Sequence, residues 1–178
     1  MKATTTFRDW LILAEAAGFK LEGTAQRPTY IGKRKTPESL QDMTFGQIVE
    51  LTKTGNDIAK VVCVTMGMER EDVMRAKATE VVRYVVWVTA QLERINKMFE
   101  TLKSAPTAEE LRAGVDALAF GIFGMIDTYA RRMGITNHDE VLATPWMVVF
   151  KCLQMDKKIQ DYEKRYNKIM QEQIRSKK

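Results

Sequence analysis

Apolar residues along this chain recur in alternating steps of four and three over three long stretches. Met74, Ala78, Val81, Val85, Val88, Leu92, Ile95, Phe99 and Leu102 form the first. Leu111, Val115, Leu118, Ile122, Met125 and Tyr129 form the second. Val148, Cys152, Met155, Ile159, Tyr162, Tyr166 and Ile169 form the third. This step keeps side chains on one face of an α-helix and lets helices pack side by side at shallow angles. The pattern predicts an all-α fold: a helical bundle with one long central helix and a projecting C-terminal helix.

Polar punctuation places the element ends. Thr6, with Asp9 three residues on, caps a first short helix that Gly18 stops. Residues 19–35 hold Gly23, Pro28 and Gly32 among polar and basic residues, which predicts a loop. Thr36-Pro37-Glu38 starts a turn of helix. Thr44-Phe45-Gly46-Gln47 is a capping box that opens the helix ending at Lys53. Gly55-Asn56 breaks it, Asp57 caps Ile58 to Met66, and Gly67 stops that helix.

Glu69 to Lys103 then forms the long helix. Its four heptads from Met74 to Leu102 span about 42 Å at the usual helical rise. Val81 to Val88 is rich in β-formers, and a buried strand is the alternative there. The unbroken 4-3 step favours helix. Ser104 to Pro106 breaks the chain, and Thr107-Ala108-Glu109-Glu110 opens a helix that continues to Met133. Ala113, Ala117 and Gly121 give it a small-residue face, and close approach of a neighbour offsets the helical cost of the glycines. Gly134 ends it, Asn137 caps a short helix, and Pro145-Trp146 starts the last one. That helix begins apolar on several sides and narrows after Asp156 to a single stripe, as expected of a helix half inside a domain and half outside it. The organisation expected is an N-terminal helix with a basic loop arm (1–36), a bundle core (37–156) and a projecting basic helix (157–178).

Charge adds a second layer. The net formal charge is +5. Residues 18–36 contribute +4 and residues 151–178 contribute +5, which leaves a mildly acidic body. Basic ends on an acidic body suggest partner surfaces there, with Lys33, Arg34 and Lys35 on the loop. Cys63 and Cys152 both lie in apolar helical runs, which suits buried reduced thiols better than a disulfide framework. The longest apolar run, Ala117 to Ile126, falls short of the roughly 20 residues a bilayer requires. With no signal-peptide pattern at the N-terminus, a cytoplasmic or virion location is expected.

Candidate chemistry is sparse. The one histidine, His138, stands beside Asp139 and Glu140 at a helix start. Three adjacent residues point around the helix, whereas helical metal ligands sit three or four apart. Helix capping explains the two acids. No nucleophile–base spacing, glycine-rich phosphate loop or dinucleotide fingerprint occurs. No catalytic, metal or cofactor residues are expected, and the chain is read as non-enzymatic. Cys63 to Val73 and Ala130 to Val141 share a Met-Gly, acids, Val pattern that suggests a weak internal repeat and resembles a helix-turn-helix spine. Glu69, Glu71 and Asp72 sit where DNA phosphate would repel them, so nucleic acid is the alternative partner class only, through the basic loop and C-terminal helix.

Tyr129-x-x-x-x-Gly134, Asp139-Glu140-Val141-Leu142, Pro145-Trp146 and a charged helix with spaced tyrosines together resemble small helical tail-assembly proteins of tailed bacteriophages. The Thr44-Phe45-Gly46-Gln47-Ile48 opening and the unit Glu71 to Ala76 fit the same style, which minor virion proteins share. The resemblance implies a non-enzymatic protein that binds the tail tape-measure protein or tail-tube subunits during assembly, as chaperone or structural part. It offers no catalytic residues. Ile159, Tyr162, Tyr166 and Ile169 are the expected contact stripe, by helix-on-helix packing with another protein or with a second copy.

Overall fold

In the computed structural model, the described residues are 5–17 and 25–176. The expected stop at Gly18 and the segment 19–24 of the basic loop lie outside them. The fold is all-α, apart from one two-stranded hairpin.

The helices divide into two similar halves. The first holds α1 (Phe7–Ala17), α3 (Ile58–Met66), α4 (Arg70–Arg75) and α5 (Ala78–Glu100). The second holds α2 (Phe45–Lys53), α7 (Gly121–Met133), α8 (His138–Ala143) and α9 (Trp146–Ser176). Helix α1 packs on α4 and α5 as α2 packs on α8 and α9, and α3 packs on α4 and α5 as α7 packs on α8 and α9. The weak repeat visible in sequence is therefore a repeat of packing. The halves interleave along the chain, because α2 precedes α3.

Backbone hydrogen bonds repeat too. Phe7 donates to the Ala76 carbonyl at 2.8 Å, and Ala78 donates to that of Thr5 at 2.9 Å. In the second half Phe45 donates to Thr144 at 2.8 Å, and Trp146 donates to Met43 at 3.1 Å. These pairs make two matching one-residue bridges, Thr6 with Lys77 and Thr44 with Pro145. Both following helices are capped alike. The Thr6 hydroxyl accepts from the Asp9 amide at 3.2 Å, and the Thr44 hydroxyl accepts from Gln47 at 3.2 Å. The buried positions also correspond: Ala78, Val81, Val82 and Val85 on α5 match Trp146, Val149, Phe150 and Leu153 on α9. The halves meet around Phe99, whose ring centroid lies 5.9 Å from Phe45, 6.1 Å from Trp146 and 5.4 Å from Phe150. Offset and edge-on aromatic contacts of this kind add to the area they bury.

Local sequence accounts for most of the ends. Thr44 forms the full capping box, Asp57 caps α3, and Asn137 caps α8. Gly67 and Gly134 close α3 and α7 in the left-handed conformation that glycine adopts without strain. Val81 to Val88 is helical, in the first part of α5.

Four expectations are corrected. The long central helix is α5 alone, 23 residues and about 34 Å long, because the Ala76 carbonyl accepts from Phe7 and the Ala78 amide donates to Thr5 instead of continuing the helical ladder. The stretch from Thr107 to Met133 is not one helix. It comprises α6 (Ala108–Arg112), a 3-10 turn (Val115–Leu118) and α7, with Gly114 at φ 81° and Gly121 at φ 56° turning the chain. The expected small-residue face is thus a bend, with Ala113, Ala117 and Gly121 exposed. Residues 37–43 form turns rather than helix. The Leu40 carbonyl accepts from the Trp146 indole at 2.7 Å, while Met43 is taken by the Trp146 amide. Lastly, the basic loop contains the hairpin of β1 (Tyr30–Ile31) and β2 (Arg34–Lys35), pairing Tyr30 with Lys35 and Ile31 with Arg34. Ile31 is fully buried, and the Gly32 amide donates to Glu80 of α5 at 3.0 Å.

Candidate functional site

Helix α9 changes character along its length. Trp146, Val149, Phe150 and Leu153 are buried. Beyond Asp156 the helix leaves the body, and Ile159, Tyr162, Tyr166 and Ile169 each expose more than half of their surface. Met155 continues the same stripe at its inner end and is exposed as well. The Tyr162 and Tyr166 rings stack at 6.2 Å, one turn apart. The four residues expected as a contact stripe therefore do share one face, and nothing in the described chain covers it.

Contacts of α9 with the rest of the chain lie elsewhere on its circumference. Arg132 of α7 pairs with Asp156 where the helix leaves the body. Lys164 pairs with Glu110 of α6 at 3.1 Å. At about 100° per residue, Lys164 stands opposite the stripe. Within the helix Lys157 pairs with Asp161, and that hydrogen bond, together with nearby Arg165 and Lys164, holds the Asp161 carboxyl below the usual range. The Thr107 amide and Lys164 hold Glu110 low in the same way. These exposed pairs contribute little stability each. The Lys164–Glu110 contact lies on the back of α9 and leaves the apolar face open.

The three loop cations have separate fates. Lys33 is exposed in the hairpin turn. Arg34 donates to the carbonyls of Met66 and Gly67 at 3.2 and 2.8 Å, closing the C-terminal end of α3. Lys35 pairs with Glu38 at 3.3 Å, and both are exposed. These residues sit on the first half of the molecule and do not join the α9 stripe.

A second apolar surface was not expected from sequence. Leu111, Leu118, Phe120 and Phe123 are exposed around the bend between α6 and α7. The 4-3 step had assigned Leu111 and Leu118 to a buried helix face. The signal against that assignment was Gly114 and Gly121, which cost too much inside one helix to be incidental.

His138 lies edge-on to Phe123 at 5.3 Å, in the first position of α8. Among the described residues no group of three His, Cys, Asp or Glu side chains is placed to hold a metal ion. Cys63 and Cys152 are free and half-buried, and burial raises the Cys63 thiol. A groove of about 890 Å³ runs between α1, the turn at Gly55 and α5, over Trp10, Leu11, Leu51, Val85 and Leu92. No helix among the described residues is long and apolar enough to cross a membrane. The chain matches no family model, no curated protein and no solved structure.

Proposed function

We propose that this chain is a non-enzymatic helical interaction protein that acts in a larger assembly through the distal half of α9. The observation that carries this reading is the uncovered stripe Ile159–Tyr162–Tyr166–Ile169 on a helix whose other half is anchored in the core. An isolated amphipathic helix in water gains little from its own apolar face, and burying that face on another helix supplies the missing stabilisation. The resemblance to phage tail-assembly proteins points to tail or virion morphogenesis, with the tape-measure or tail-tube protein as the assembly partner. The role is then that of a chaperone or a structural component, in the host cytoplasm or the virion.

Nucleic acid is less favoured as a partner, because Arg34, Lys157 and Lys164 are already engaged within the chain. A steep fall of DNA affinity with salt would restore that alternative.

The test is a pair of baits, the wild-type chain and Ile159→Lys/Tyr162→Glu, each mixed with purified tape-measure or tail-tube protein. Wild type should retain the partner and the variant should lose it, with equal helical content by circular dichroism. Equal retention by both would sink the reading.

A further inference from the structure

The repeat shows how one half of this molecule recruits the other, and that comparison narrows what the α9 stripe is for. In the first half Phe99, near the end of α5, meets aromatic rings of the second half, and Ile95 and, just past the helix, Leu102 share its apolar face. The offset that carries Ala76, Lys77 and Ala78 onto Thr144, Pro145 and Trp146 carries those three onto Glu163, Asn167 and Met170. That face of α9 is mostly polar. A third unit therefore cannot join the second as the second joins the first, and head-to-tail growth through this contact is closed off. The apolar stripe of α9 is rotated from that face by one residue, about 100°. It is a new surface rather than a repeat of the old one.

Its flanks indicate what covers it. In heptad terms Ile159 and Tyr166 are a positions, and Met155, Tyr162 and Ile169 are d positions. Lys158, Arg165 and Glu172 then occupy g, and Glu163 and Met170 occupy e. The excess cations Lys157, Lys164, Lys168 and Arg175 fall at c and f, on the back, where Lys157 and Lys164 are already paired. The flanks themselves are balanced. A uniformly acidic partner helix would meet Glu163 and Glu172, so the net positive charge of α9 does not select one.

A second copy meets the flanks better. In a parallel, in-register pair each g residue faces the e residue five positions on in the other helix. Lys158 then faces Glu163 of the second copy, twice by symmetry, and the Arg165 stem lies over Met170. An antiparallel pair centred on the same stripe sets Lys158 against Glu172 twice, but it also sets Glu163 against Glu163 and Arg165 against Arg165, two like-charge contacts that the parallel pair avoids. We infer that the distal half of α9 pairs with the same segment of a second copy as a parallel two-stranded coiled coil. This rests on the reading of the stripe as the contact surface, and it names the first partner of that surface.

The test is the solution mass of the full chain by light scattering over a range of concentrations. Wild type should be a dimer that dissociates on dilution. Lys158→Glu should weaken it roughly tenfold, by setting Glu against Glu163 at two symmetric sites. Lys158→Glu/Glu163→Lys should recover the wild-type constant, and Tyr162→Glu should give monomers of unchanged helical content. A wild-type monomer at every concentration overturns the inference, and so does a dimer insensitive to Lys158→Glu or one not recovered by the double reversal. In any of these cases the assembly role is judged separately, by retention of the tape-measure or tail-tube protein.

Discussion

Phe7 and Phe45 occupy equivalent positions in the two halves of the molecule. Each follows a threonine cap, each ring is buried, and each amide donates at 2.8 Å to the carbonyl just before a one-residue bridge. Equivalent surroundings imply equivalent cost. Phe7→Ala and Phe45→Ala should each destabilise the fold by about 3–5 kcal/mol, as truncation of a buried ring usually does. Urea unfolding of the two single variants measures this. A severalfold difference between them would mean that the shared geometry is not matched by shared energetics.

Gly114 separates a bent chain from a continuous helix by the sign of one substitution. In an ordinary helix interior, Gly→Ala stabilises by about 1 kcal/mol. Gly114 has φ 81°, and a methyl group there meets nothing within 4 Å, so only backbone strain acts. Gly114→Ala should therefore destabilise by about 1–2 kcal/mol. A rise in melting temperature would restore the single helix from Thr107 to Met133.

Caps and stops were legible because their chemistry is local. Thr44 with Gln47, Asp57, Thr107 with Glu110, Gly67 and Gly134 each act within a few residues of themselves. The break at Ala76-Lys77 was hidden because its cause is distant: the amide of Phe7 and the carbonyl of Thr5. The step from Met74 to Ala78 survives that break because α4 and α5 line the same core. The α9 stripe was legible because polar residues surround it. The Leu111–Phe123 surface was not, since periodicity alone cannot tell a buried face from one the backbone has turned outward. The Met-Gly, acids, Val signal marked half of the repeat. Thr6-Phe7 and Thr44-Phe45 marked the other half, but they lie far from their partner segments in the chain.

Tyr84 is fully buried, and among the described residues its hydroxyl has no hydrogen-bond partner. Burial pushes the phenol up to about 12, opposed by nearby Thr65 and by the charge of Arg27. The Thr65 hydroxyl itself donates to the Val61 carbonyl at 2.8 Å. An unsatisfied buried hydroxyl costs about 1–3 kcal/mol. Tyr84→Phe should keep or raise stability, by up to about 1 kcal/mol, which is roughly 2–4 °C in melting temperature for a chain of this size. A clear loss on calorimetry would reveal a partner for the hydroxyl, such as a bound water.

Asp57 ties the acid stability of the fold to one helix cap. Its carboxylate accepts from the Lys60 amide at 3.1 Å and pairs with Arg70 at 2.9 Å. Partial burial pushes the carboxyl up, but the Arg70 hydrogen bond, the Lys60 amide and the two positive charges outweigh it, so the group titrates below its ordinary range. A carboxylate depressed in the folded state adds stability that is fully present above its unfolded value, about 3.9, and is lost as pH falls through the folded one. Asp57→Ala should therefore cost about 1 kcal/mol at neutral pH, the usual loss for a cap. The gap to wild type should narrow steadily below about pH 4. Asn137 provides the control, because its amide caps α8 by accepting from the Asp139 amide at 3.0 Å and does not itself titrate. Asn137→Ala should cost a similar amount, and its gap should hold over the same acid range. Denaturant unfolding of the three proteins at a series of pH values decides the matter: parallel gaps for both variants would remove the charge of Asp57 from the cap.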